Sequence, residues 1–403
     1  MPHIRKRVVL HFPGFEPLDA EAHRSRYARS AMQSAQVWNF RVETAPLGGN
    51  PLAPSFSVDA AGPNWRTESR VHVLDHNELI LALRARSPLA RLVAGYRSAA
   101  QVIWHGGMFG YFRHAWRFGL FFLFPFLLVA LGAAGLLLLA SLPVLFGFPA
   151  WNFLWTLPVA WLLFFRVFLP AAENIHTLHQ FDDWGLAVSL AKLDDAPANA
   201  RLEECAAAAR AAFQEEADEY LVTSHSMGSS VAVHAIGMLL EREPQLLAGK
   251  KVVFATLGGA VLQCSLLRPA IELRRRVGVI AQCADVFWLE VQCLTDVISF
   301  YRTQVVRAAG FGALPQAEIL FIRFKHMVTP ERYRRIKRDF LRMHRQYVLG
   351  PDRRATYDFT LMTAGPFAAP DFARFSADRL APLGADGSIA PAPSEGIASA
   401  VSG

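Results

Sequence analysis

The sequence predicts an α/β protein: a mostly parallel sheet covered by helices, interrupted by an inserted hairpin of two transmembrane helices. Three observations lead there. Short apolar runs alternate with helical-period segments along most of the chain, as in a sheet buried on both faces. One uncharged stretch, Gly119 to Phe165, is long enough for two membrane spans. The segment "EYLVTSHSMGSSVAVHAIGMLL", residues 219–240, has the pattern of a strand, a tight turn and a helix, with Ser226 at the turn.

Taken in order, "RKRVVLHFPGFEPL" predicts a buried strand running into a glycine-containing loop, and "DAEAHRSRYARSAMQSA" a helix. "QVWNFRVETAPL" and "ESRVHVLDH" predict two further strands. Beyond the apolar stretch, "NARLEECAAAARAAFQEEADE" predicts an Ala-rich helix, and strand "EYLVTSH" and helix "GSSVAVHAIGMLLERE" follow. Then come strand "KKVVFATLGG", helix "PAIELRRRVGVIAQC", and strands "DVFWLEVQCLTD" and "AEILFIRF". A last helix, "TPERYRRIKRDFLRMHRQYV", takes Thr329 as its cap and Pro330 at its first position. From about residue 377 onward, Ala, Pro, Gly and Ser predominate, which predicts a disordered tail. The domain organisation expected is therefore residues 1–112 and 171–376 as two parts of one soluble domain, 113–170 as the membrane hairpin and 377–403 as the tail.

The hairpin divides at "SLPVLFGFPAW", where Pro143, Gly147 and Pro149 cluster, giving helices over roughly 118–142 and 149–169; so apolar a loop leaves a hairpin that dips into one leaflet as the alternative to a full span. Trp151 and Trp155 suit a membrane–water interface. Arg113 and Arg117 precede the first helix, Arg166 closes the uncharged run, and the connecting loop has no Lys or Arg. Positive charge thus marks the side holding both soluble parts, which places them and both termini in the cytoplasm. The basic N-terminus is followed by too few apolar residues for a signal-peptide core, so it is expected not to be exported.

The net charge of +7 and pI near 9.4 suit an anionic surface. No basic run interleaved with aromatics points to nucleic acid. Cys205, Cys264, Cys283 and Cys293 show neither C-x-x-C spacing nor a histidine at ligand spacing. They are expected to be buried reduced thiols, with no metal and no organic cofactor. Two spans without an intramembrane charge argue against a channel or transporter. Nothing in the sequence specifies an oligomeric state.

The chemistry lies at "SHSMGS". A strained strand-to-helix turn that displays a serine needs small residues two before and two after it, since backbone packs against backbone there. Gly228 supplies the second and Ser224 stands where glycine is usual. A serine nucleophile needs a base, an acid to orient that base, and donors for the oxyanion. Asp296, at the end of the strand "VFWLEVQCLTD", is the candidate acid. His326, two residues after "EILFIRF", and His344, at the far end of the last helix, are the candidate bases. A straight helix of some fourteen residues is about 21 Å long, so it delivers His344 only by crossing over the serine's edge of the sheet. The amide of Met227 and that of Gly14 or Phe15, in "HFPGFEP", are the candidate oxyanion donors.

With "HFPGFEP", "SHSMGSS", "LTD" and the C-terminal "HRQYVLGPDRRATYDF", the chain resembles α/β-hydrolase-fold serine esterases and lipases. More narrowly, it is similar to bacterial membrane-associated hydrolases. The resemblance implies that a His-x-x-Tyr element, here His344 and Tyr347, holds the functional histidine, so that His344 is the base, with His326 as the alternative. It implies a Ser226–His344–Asp296 triad cleaving an ester or thioester; the hairpin, which places the site beside acyl chains, makes a lipid or other acyl-ester substrate in the bacterial inner membrane the expectation. Ser224 in place of glycine keeps a second reading open: a membrane scaffold with the hydrolase fold and no turnover.

Overall fold

The computed structural model describes residues 3–50, 52–376 and 378–389. Nine strands form one mixed, mostly parallel sheet in the order β2-β4-β5-β1-β6-β7-β8-β9, with β3 paired to β4. The parallel part is β5 (Trp65–Val73), β1 (Lys6–Phe12), β6 (Glu219–His225), β7 (Val252–Leu257), β8 (Val286–Cys293) and β9 (Glu318–Ile322). An antiparallel wing, β2 (Arg41–Thr44), β3 (Gly48–Asn50) and β4 (Ala53–Gly62), extends the β5 side.

Side chains alternate across each strand, so one strand feeds two cores. Val8, Leu10 and Phe12 of β1 join one apolar cluster, while Val9 joins the other across the sheet. All seven residues of β6 are buried, as expected for a central strand covered on both faces.

The chain departs from the sequence expectations at four places. The first helix, Ala20–Trp38, is capped by Asp19 and extends through "QVW", leaving only the short β2 of the strand expected there. β3 and β4 were not expected, because "GGN" and "APSFSVDAAG" carry the Gly, Pro, Ser and Ala that ordinarily mark turns. The last helix is broken. Helix Pro330–Ile336 ends, Asp339 turns to extended backbone and caps Phe340–His344 by accepting from the Arg342 amide at 3.0 Å, and a 3-10 turn, Arg345–Val348, follows. Finally, residues 378–389, assigned to the tail by composition, pack on the domain: Arg354 donates to the Leu383 and Gly384 carbonyls, and the Trp65 indole to that of Gly387. The rest of the expected tail lies outside the described residues.

Between β5 and β6 stand the two apolar helices. The first, Gly107–Leu145, kinks at Ala115. The second begins with the turn Ala150–Asn152, continues as Phe153–Leu163, widens into a π-helical turn at Phe164–Phe168 and ends as Leu169–Glu173. Both are long and apolar enough to cross a membrane. Their outer faces are uncovered: Leu131 is 71% exposed and Leu154 79%.

Candidate functional site

β6 ends at His225, and the next residue, Ser226, takes a left-handed backbone with φ 53°. For a serine this is a strained conformation, and it persists only where the surroundings enforce it. Two glycines do so. A Cβ on Gly228 would lie 2.3 Å from the carbonyl oxygens of both Phe12 and Pro13. The loop after β1 therefore passes directly against the start of helix Gly228–Arg242. A Cβ on Gly14 would meet His225 Nδ1 at 2.9 Å and the Ser226 Cβ at 3.1 Å, so this loop touches the serine itself. Ser224, at the place usual for glycine, is fully buried, and its hydroxyl donates to the Ala255 carbonyl at 3.3 Å.

Asp296 lies in the loop after β8 and His344 at the end of the broken helix; the structure brings them together. His344 Nδ1 is 2.8 Å from Asp296 Oδ2, and both side chains are buried. The other carboxylate oxygen of Asp296 accepts from the Ile298 amide at 3.0 Å. Donation from Nδ1 to the carboxylate leaves Nε2 as the basic nitrogen. That nitrogen is buried and has no hydrogen-bond partner among the described residues. His225 packs on the His344 ring with centroids 4.6 Å apart, and its Nε2–H donates to the His344 carbonyl at 3.1 Å. Burial, and then the neighbouring His344, hold His225 well below the usual imidazole range, so it acts as a neutral clamp. The Tyr347 hydroxyl accepts from the Cys293 amide at 2.9 Å, pinning the 3-10 turn to the end of β8. Gly258, at φ 53°, makes room for the Tyr347 ring.

His326 is elsewhere. It is exposed on the short turn Phe324–Met327, outside the cleft that contains Ser226 and His344. The expectation that a straight helix delivers His344 is corrected too, since the chain reaches the site through the break at Asp339.

Gly14, Phe15, Ser226 and His344 line one narrow cleft of about 40 Å³. Met227, the residue after Ser226, is buried. Among the described residues, no hydrogen bond uses the Gly14, Phe15 or Met227 amide as donor, which leaves these amides available to an anionic oxygen.

The cleft also holds residues that sequence reasoning missed. Asp183 is half-buried and accepts from the Gln263 side-chain amide at 2.7 Å; desolvation pushes its carboxyl up to about 6. Burial would likewise raise Glu16, but Arg26, at 2.5 Å, and Arg345 outweigh it and hold the carboxyl well below its usual range. His179 packs on Phe15 with ring centroids 5.1 Å apart, and burial lowers it to about 3. Phe121, from the first apolar helix, forms part of the wall. The one signal for Asp183 and His179 was the polar run "HTLHQFDDWG" directly after the apolar stretch, inside a helix, Thr177–Lys192, that is mostly buried. Among the described residues, no group of three or more His, Cys, Asp or Glu is arranged to hold a metal. Comparison with family models, with curated proteins and with solved structures gave no match to this chain.

Proposed function

We propose that this chain is a membrane-anchored serine hydrolase of the α/β-hydrolase fold, cleaving a carboxylic ester or thioester of a lipid. The observation that carries the reading is the pairing of buried His344 with Asp296, its free Nε2 lying in the same cleft as a serine held at φ 53°. In the mechanism, Nε2 takes the Ser226 hydroxyl proton while Oγ attacks the carbonyl carbon. Asp296 holds the ring and stabilises the imidazolium. The amides of Met227 and of Gly14 or Phe15 receive the oxyanion. The imidazolium returns its proton to the leaving alcohol or thiol, an acyl-serine remains, and water activated by the same nitrogen releases the acid.

The lipid part of the reading rests on Phe121. Phe121 belongs to the first apolar helix and walls the cleft, which favours an acyl group as its occupant. The membrane assignment is supported by the uncovered outer faces of both helices. The topology is supported by the sheet, because β1 pairs with β5, made before the hairpin, and with β6, made after it. This pairing favours both ends of the hairpin on one side, and the flanking arginines favour the cytoplasmic side of the bacterial inner membrane proposed here.

The scaffold reading is favoured by one observation: Ser226 and His344 share a cleft of only about 40 Å³ but form no hydrogen bond. Catalytic hydrogen bonds are often long before substrate binds. A fluorophosphonate probe separates the two readings. On carbonate-washed membranes, wild type should label in the pellet and Ser226→Ala should not. Failure of folded wild type to label would leave the scaffold. A labelled band in the soluble wash would reject the membrane anchor.

A further inference from the structure

The charge of this protein is concentrated at one place. Between Arg323 and Arg345 the sequence has nine Lys and Arg against two carboxylates, Glu331 and Asp339. That surplus of seven equals the net charge of the whole chain, so the remaining residues are balanced. Within the segment, Arg334 pairs with Glu331, Arg342 with Asp339, Arg332 with Asp352, and Arg345 with Glu16. Arg323, Lys325, Arg335, Lys337 and Arg338 are exposed and have no acidic partner among the described residues.

The segment lies against both ends of the apolar hairpin. The Phe340 ring packs on Phe121, near the start of the uncharged stretch, at 5.3 Å. It also packs on His176, just past the end of the second apolar helix, at 5.8 Å. Asp339 reaches His176 at 3.7 Å. Arg117, at the hairpin's start, donates to the Leu294 carbonyl, two residues before Asp296. If the hairpin crosses a bilayer, the break at residues 337–339 stands at headgroup level with its cations facing outward. His344, seven residues beyond Lys337 in the sequence, is the base proposed above.

We infer that the segment 330–342 docks on anionic phospholipid headgroups of the surrounding bilayer through Arg335, Lys337 and Arg338, and so orders the chain that delivers His344. This rests on the membrane-anchored reading. The bilayer is favoured as the occupant by charge complementarity with an anionic leaflet and by continuity with the hairpin. A cation at the surface of such a leaflet is attracted within about a Debye length, and three together give a large, salt-sensitive effect.

The test uses the full chain in nanodiscs of phosphatidylcholine alone or with about 30% phosphatidylglycerol, a typical anionic fraction. Amide hydrogen exchange of residues 330–342 should slow about fivefold or more with phosphatidylglycerol, and high salt should abolish the difference. Arg335→Gln, Lys337→Gln and Arg338→Gln combined should exchange alike in both discs. Turnover of a soluble short-chain ester should follow the same pattern in wild type and stay at the phosphatidylcholine level in the variant. Equal exchange of wild type in both discs would overturn the inference, as would a variant that keeps the response. Glycerol phosphate reproducing the effect in phosphatidylcholine discs would overturn it in favour of a small-anion site, and protection by an RNA oligonucleotide without a lipid response would overturn it in favour of nucleic acid. Exchange needs no turnover, and Ser226 labelling in phosphatidylcholine discs needs no anionic lipid, so failure of the docking and failure of the hydrolase reading are told apart.

Discussion

The two sides of the cleft are held by different physics. Ser226 is positioned by backbone. The end of β6, the start of the following helix and the loop after β1 approach so closely that glycine is the only residue that fits at 228. His344 is positioned by side chains: the Asp296 carboxylate, the His225 ring packed on it at a tilt, and Tyr347 anchored on the Cys293 amide. A backbone clash has no graded response, whereas a hydrogen-bonded ring can lose one support and keep the rest. Damage should therefore be all-or-none on the serine side and stepwise on the histidine side.

The sharpest way to break the comparison is Gly228→Val. Its Cβ would sit 2.3 Å from two carbonyl oxygens, neither of which can rotate away. Fluorophosphonate labelling should fall to background, with a lowered melting temperature as the loop after β1 is displaced. A Gly228→Val protein with near-normal labelling would mean that the close approach is not what sets the serine.

Next in size is the histidine pair. His344→Ala should slow acylation by about 10³-fold or more, the usual scale for losing a triad base, without altering the serine turn. His326→Ala, exposed and outside the cleft, should label at the wild-type rate. Stopped-flow acylation by an activated ester measures both, and a dead His326→Ala beside a healthy His344→Ala would reverse the assignment.

The smallest expected change sharpens the comparison by touching neither side. Glu290, on β8, is buried, its Oε2 lacks a partner, and burial pushes its carboxyl up to about 8 although Gln292 opposes the shift. Between about pH 4.5 and 8 the folded chain holds a proton that the unfolded chain releases, so stability falls as pH rises through that window. Glu290→Gln should remove this slope. At pH 7 it should add roughly 3 kcal/mol at most, because pH 7 lies about 2.5 above the ordinary carboxyl value of 4.5 and each pH step of one is worth about 1.36 kcal/mol. The gain should vanish below about pH 4.5. Melting curves across pH check it, and unchanged labelling of the variant would show that the cleft is insulated from this strand interior.

How much of this was legible in the sequence follows the same division. The turn at Ser226 could be read because its constraint is local: small residues at fixed offsets between a strand and a helix. The alternation of apolar runs with helical segments gave the parallel half of the sheet for the same reason. The antiparallel wing was hidden, since β4 takes its strand character from pairing along β5 rather than from its own Ala, Pro, Ser and Gly. The break before Phe340 was hidden as well. Asp339 has an ordinary place in a helical pattern, and its capping role emerges only once the chain must turn toward Asp296. His179 and Asp183 share one helix face at i,i+4 spacing, but only tertiary packing brings that face and Phe121 to the serine, so the sequence could not assign them to the cleft.

The strand order has a consequence for how the molecule is made. β1 is synthesised first and sits in the sheet between β5 and β6. β5 leaves the ribosome soon afterwards, but β6 follows only after both apolar helices. Through that interval one edge of β1, from Arg7 to Phe12, is an unpaired template without its neighbour. The half-made sheet has the loop after β1 but neither Ser226 nor His344, which both lie beyond the hairpin. The nascent chain thus cannot bring Ser226 and His344 together until the apolar helices have been synthesised, and closing the sheet at β1–β6 is the event that joins the two halves.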